Sequence, residues 1–194
     1  MSHSLPFSPP SAWIARFAPL VPPGARLLDL ACGGGRHLRF FHGRGCHVTG
    51  VDLDLRGVAD LVGQERVNLL QADLENGNPW PAALADFDAV IVTNYLYRPL
   101  LPDLLAALKP GGILLYETFA MGNQRFGRPS SPAFLLRAGE LLELARGRLH
   151  VVAFEQGEVS SPKAAVIQRL CAIAQRPAAP DLDGDPAPVP LPPA

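Results

Sequence analysis

Residues Leu27-Leu28-Asp29-Leu30-Ala31-Cys32-Gly33-Gly34-Gly35-Arg36-His37 constrain the fold more than any other stretch. A short apolar run ends in an acid, three glycines follow, and a helix-like segment begins. This order describes a buried strand, a tight turn and a helix start. Glycines lack a side chain and accept positive φ, so a ligand can lie against bare backbone there. The free N–H groups of the first helical turn face the same ligand. A dinucleotide-binding turn reads G-x-G-x-x-G. Gly33 and Gly35 satisfy its first two positions, but Leu38 holds the third, which counts against a nicotinamide dehydrogenase.

Apolar runs and helical segments alternate downstream. Strands are predicted at Arg26 to Ala31, His47 to Asp52, Val67 to Ala72, Phe87 to Thr93 and Ile113 to Phe119. Helices are expected at Arg36 to Gly43, Leu55 to Val62 and Leu100 to Leu108, the last closed by Lys109-Pro110-Gly111-Gly112. Such alternation implies a parallel sheet covered on both faces, with right-handed crossovers. Upstream, Ser11 is a candidate cap for a short helix, Ala12 to Leu20, with Trp13, Ile14 and Phe17 on one face. After Phe119 a polar, glycine-rich stretch leads to a predicted helix from Pro132 or Ala133 to Arg146, with a break at Gly139. Two strand-like runs, His150 to Glu158 and Ala164 to Ala174, lie too close for a parallel return and predict an antiparallel hairpin. The fold class is therefore α/β, a Rossmann-like doubly wound sheet of about seven strands, mostly parallel with an antiparallel C-terminal hairpin. The expected organisation is an N-terminal extension with a short helix (1–24, its first ten residues mobile), a main domain (25–176) and a proline-rich, disordered tail (177–194).

The ordered motifs resemble those of class I S-adenosylmethionine-dependent methyltransferases. The first is Asp29-Leu30-Ala31-Cys32-Gly33-Gly34-Gly35, with Ala31 where many members carry glycine. The second is Val51-Asp52-Leu53-Asp54, with Asp52 placed 23 residues after Asp29. Gln71-Ala72-Asp73-Leu74, Phe87 to Asn94, and Leu108-Lys109-Pro110-Gly111-Gly112 complete the set. The resemblance implies S-adenosyl-L-methionine as cofactor. Its binding residues would be Asp29, Ala31, Cys32, Gly33, Gly35, Asp52, Leu53, Asp73, Leu74 and Asn94. Asp52 would take the ribose diol and Asp73 the adenine amino group, while Asp54 suits a helix cap. Within the family, Tyr116-Glu117-Thr118-Phe119 and the Gly-Asn…Arg-Phe-Gly segment are most similar to small bacterial tellurite-resistance-like members. Quinone-biosynthesis-like members share the glycine turn.

Catalytic candidates are Tyr95, Tyr97 and Glu117, on or after the fourth and fifth strands. Acceptor-binding candidates are Tyr95, Arg98, Arg125 and Arg128, since arginines pair with anions bidentately. Glu117 has two readings, a polar group reaching the site or the partner of a basic residue. His37 reads as a helix-surface residue, Cys32 as a small filler, and Lys109 as a solvated helix end.

A net charge of −1 and the absence of a basic extension count against nucleic acid as a partner. The three cysteines have no metal-ligand spacing, so no metal is expected, and reduced thiols fit the cytoplasm. Neither a signal peptide nor a membrane span is expected. The expectation is a cytoplasmic methyltransferase for a small-molecule acceptor, anionic or an oxyanion. The alternatives are an RNA or protein methyltransferase and a non-catalytic S-adenosylmethionine-binding protein.

Overall fold

A computed structural model describes residues 8–175 and 189–193. Most of the tail expected to be disordered lies outside the described residues. Strands β1 (Arg26–Leu30), β2 (His47–Asp52), β3 (Val67–Gln71), β4 (Phe87–Thr93), β5 (Leu108–Phe119), β6 (Leu149–Val159) and β7 (Ala165–Ala174) form one sheet in the order β3-β2-β1-β4-β5-β7-β6. The strands β1 to β5 pair in parallel, and β7 runs antiparallel between β5 and β6. The predicted mixed sheet with its C-terminal hairpin is therefore observed.

Successive strand residues point to opposite faces, so each central strand feeds two cores. Leu28, Leu30, Val90, Val92, Leu114 and Tyr116 pack on one face with Leu104 of α3 (Leu101–Ala106) and Leu141 of α4 (Glu140–Ala145). Leu27, Ala89, Ile91 and Leu115 pack on the other. There they meet Trp13, Ile14 and Phe17 of α1 (Ala12–Phe17) and Leu38 and Phe41 of α2 (Arg36–His42). Ser11 caps α1 by accepting from the Trp13 N–H at 3.2 Å.

Four local expectations need correction. The predicted helix over 132–146 is only a 3-10 turn, Pro132–Phe134, followed by extended chain and then α4. Leu136 leaves the helix to bridge Ala120, and Gly139 starts α4 at φ 70°. The crossover after β2 is 3-10 rather than α, interrupted at Val58. β5 begins at Leu108, five residues early, because the Lys109 to Gly112 turn is carried within it as a register shift against β4. Lys109 is not simply solvated, since its ammonium pairs with Asp88 at 2.9 Å. Among the described residues no helix is long and apolar enough to cross a membrane.

Candidate active site

The carboxyl ends of β1 to β5 lie along one edge of the sheet, and the connections reverse direction between β1 and β4. A crevice opens at such a switch point. Ala31, Gly33 and Gly35 all take positive φ, at 53°, 53° and 70°. Open space surrounds the missing Cβ of Gly33 and Gly34. Gly35 differs, because a Cβ there would collide with Val58 Cγ1. Gly35→Ala is therefore expected to cost about 1–3 kcal/mol from the left-handed backbone alone. The clash adds displacement of the turn. A chemical denaturation series on the two proteins checks this, and equal midpoints would remove the constraint.

Asp52 ends β2 and ties the turn down. Its Oδ2 accepts from the Gly33 N–H at 2.7 Å, and its Oδ1 from the Asp54 N–H at 3.0 Å. Asp54 takes the helix-cap role, accepting from the Arg56 N–H at 2.9 Å. Leu53 beside them is exposed. Asp73, after β3, accepts from the Glu75 N–H at 2.9 Å. With Leu74, Asn78 and Trp80 it lines a hollow of about 390 Å³. Asn94, at φ 56°, follows β4 and donates its N–H to Glu117 O at 2.9 Å.

Asp29 is buried on β1, and neither carboxylate oxygen makes a hydrogen bond of normal geometry. Burial drives its pKa up to about 7. Arg36 and the Leu38 amide pull the other way, and Asp52 pushes with burial. His37 is not on the surface. It is 1% exposed, and burial lowers its pKa to about 3, with Arg36 adding to the effect. Its Nε2 accepts the Ser11 N–H at 3.2 Å, and its Nδ1 faces Asp29 Oδ1 at 3.9 Å, beyond hydrogen-bond length. Burial also pushes the Cys32 thiol up to about 12, which keeps it protonated and inert.

Glu117 lies between a cavity and a base. It lines a cavity of about 610 Å³ beside the crevice, and it is the partner of a base. Ser11 Oγ donates to Glu117 Oε1 at 2.8 Å, and Arg169 Nε donates to Oε2. Arg169 also holds Glu155 at 3.1 Å. Arg128 lines the cavity with Asn94, Arg36 and Lys163. Ser8, Pro9 and Pro10, expected to be mobile, form part of its wall.

Arg98 and Arg125 are held elsewhere. The Arg98 guanidinium binds Glu140 Oε1 at 2.7 Å and the Ala133 and Leu135 carbonyls at 2.8 Å. Arg125 binds Glu158 at 3.0 Å and the Gly122 carbonyl at 3.1 Å. Tyr95 is half-buried on the Asp73 and Glu75 side, and burial chiefly holds its phenol above the ordinary range. Its carbonyl accepts from Tyr116 Oη at 2.9 Å. Neither Tyr95 nor Tyr97 lines the large cavity.

The sequence reading missed Ser11, Arg36, Lys163 and Arg169. A signal existed for Arg169, because a cation interrupts the apolar run of β7 directly opposite Glu117.

Residues 27–112 match the protein family described as "Methyltransferase domain". These residues resemble a methyltransferase domain. The malonyl-[acyl-carrier protein] O-methyltransferase of Serratia marcescens is 32% identical over 137 residues, covering 68% of this chain and 49% of that protein. The chain spans about half, or less, of the length of the curated relatives it matches. TehB from Haemophilus influenzae superposes on this chain with a TM-score of 0.66 at 17% identity, covering 84% of this chain and 61% of that one. The Burkholderia thailandensis 1,6-didemethyltoxoflavin-N1-methyltransferase, solved with S-adenosylhomocysteine bound, gives a TM-score of 0.63 at 23% identity, covering 86% and 78%. The sheet is thus that of class I S-adenosylmethionine-dependent methyltransferases.

Proposed function

We propose that this methyltransferase domain binds S-adenosyl-L-methionine across the β1–β4 crevice and directs its methyl group to a small-molecule acceptor in the 610 Å³ cavity. The observation that carries the reading is Asp29. A buried carboxylate without a hydrogen bond of normal geometry is costly, and it is explained if a cationic ligand completes it. The ammonium of the cofactor's amino-acid moiety fits that requirement beside a turn with open space at Gly33 and Gly34. In this reading the Asp52 carboxylate takes the ribose diol, and Asp73 with Leu74 takes the adenine. The family match and the O-methyltransferase relative from Serratia marcescens support the same reaction class.

When bound, S-adenosylmethionine supplies an electrophilic methyl group on a sulfonium, already a good leaving group. The work left to the protein is mostly alignment and exclusion of water. Asp29 and Asp52 orient the two ends of the cofactor. Glu117 acts as a positioning residue, because both oxygens are engaged by Ser11 and Arg169. It thereby holds the N-terminal segment against the cavity. Arg98 and Arg125 serve the scaffold, and Tyr95 shapes the adenine side. The acceptor chemistry is carried by groups at the cavity. A small acceptor and a cytoplasmic setting complete the reading.

Calorimetric titration with S-adenosylmethionine and S-adenosylhomocysteine, with NADH as control, tests the cofactor. Binding of both sulfur compounds and not of NADH is expected. The reverse pattern, or no binding at all, would overturn the reading. In the same experiment Asp52→Ala is expected to weaken cofactor binding by about 1–3 kcal/mol, the usual cost of a lost hydrogen bond to a charged group. An unchanged dissociation constant in a folded variant would remove Asp52 from the site.

A further inference from the structure

The charge and the missing base of the large cavity identify its acceptor more closely. This step rests on the methyl-transfer reading above. Phe119, Phe126, Val159 and Ile167 give the cavity apolar walls. Four cations also line it, and Arg169 is taken up by Glu117 and Glu155. The other three are Arg36, Arg128 and Lys163. Arg36 interacts electrostatically with the buried Asp29, whereas the exposed Arg128 and Lys163 form no ion pair or side-chain hydrogen bond among the described residues, so the cavity carries two unpaired cations.

The one carboxylate lining the cavity is Glu117, already occupied at both oxygens. Among the described residues no histidine, cysteine or tyrosine lines it. An acceptor that has to shed a proton on methylation therefore finds no free base within reach. An acceptor that arrives as an anion needs no base and finds unpaired cations. The volume and four apolar side chains exceed what an inorganic oxyanion would fill, and they suit an organic body attached to the charge.

We propose that the acceptor is the carboxylate of a compact, largely apolar organic acid, and that the product is its methyl ester. Arg128 and Lys163 hold one carboxylate oxygen, and the other oxygen attacks. A bond forms between that oxygen and the methyl carbon as the methyl–sulfur bond breaks. Its electron pair passes to sulfur, leaving a neutral thioether, and no proton moves. The neutral ester no longer answers the cations, which favours its release. Arg36, next to the glycine turn and within electrostatic reach of Asp29, serves the border between cofactor and acceptor.

The test gives the full-length protein S-adenosylmethionine with hexanoate, phenylacetate or cinnamate, each beside its primary amide and its alcohol. S-adenosylhomocysteine and the methanol freed by mild base are both measured, and cofactor affinity is followed separately by calorimetry. The acids are expected to turn over, the amides and alcohols are not, and the methanol should equal the S-adenosylhomocysteine formed. The double variant Arg128→Ala/Lys163→Ala is expected to raise KM for the acids roughly ten- to hundredfold at unchanged cofactor affinity, as for lost charge-assisted hydrogen bonds. Turnover of amides or alcohols, a base-stable product, acids that stay inert with cofactor bound, or an unchanged KM would each overturn the carboxylate assignment. Those results leave the cofactor reading intact, whereas failure to bind S-adenosylmethionine would overturn that reading as well.

Discussion

Asp29→Asn is expected to stabilise the unliganded protein above neutral pH while weakening its hold on S-adenosylmethionine. The carboxyl of Asp29 is buried and titrates at about 7 rather than 3.8. Because the folded pKa is raised, the native state prefers the protonated acid. That contribution is complete below the ordinary carboxylate range and is lost as pH climbs through about 7. A shift of about three pH units corresponds to a change on the order of 4 kcal/mol. Asparagine cannot ionise, so its melting curves should lose that pH dependence. Thermal melts of both proteins at pH about 5 and about 8 check the sign, and parallel profiles would show that Asp29 is not the group responsible. The same variant should bind the cofactor about 1.5–3 kcal/mol more weakly, since its ammonium loses a charged partner. In the wild type that ammonium favours the ionised acid, so cofactor binding near neutral pH should release protons. Calorimetry in buffers of different ionisation enthalpy reads that release directly.

The second large effect is at Glu117. Removing one partner of a buried pair strands the other, and the expected cost of Glu117→Ala is about 3–5 kcal/mol. For a chain of this size that lowers the melting temperature by roughly 6–20 °C. Arg169 retains Glu155, but its side chain is only 17% exposed and water cannot fully replace the lost carboxylate. Ser11 loses its acceptor at the same time, so the segment carrying Pro9 and Pro10 should become easier to cleave by protease. Arg169→Ala in the same background should cost less than it does alone, and a double-mutant cycle measures that coupling. Strict additivity would show that the two side chains do not act as a pair.

Much of this architecture was legible in the chain because it rests on local pattern. The alternation of apolar strands with helical segments, the spacing from Asp29 to Asp52 and the glycine turn are short-range features, and the observed sheet follows them closely. The misread features depend on partners far away in sequence. His37 looks like a surface residue until Ser11, 26 residues earlier, donates to it. Arg98 looks free until Glu140, 42 residues later, folds against it. Glu117 had two readings because its partner Arg169 is 52 residues away. The helix expected over 132–146 failed for another reason. Leu135 and Leu136 carry a helical apolar pattern, but the bridge to Ala120 and the left-handed Gly139 draw the backbone out of it. For the cavity, loop composition marks Arg125 and Arg128 alike, and only packing separates them, with Arg125 held by Glu158 and Arg128 lining the cavity.

The position of β7 between β5 and β6 has a consequence for biosynthesis. A chain emerging from the ribosome can complete β1 to β5 in order, because each parallel strand docks beside one already made. It cannot close the sheet until residues 165–174 arrive. Until then the long apolar edge of β5 lacks its neighbour, an arrangement prone to pairing with another chain. The same ten residues carry Arg169 and Ile167 to the large cavity. A nascent chain can therefore assemble the crevice at the glycine turn before it has the large cavity, and the insertion of one late strand both protects the edge and completes that cavity.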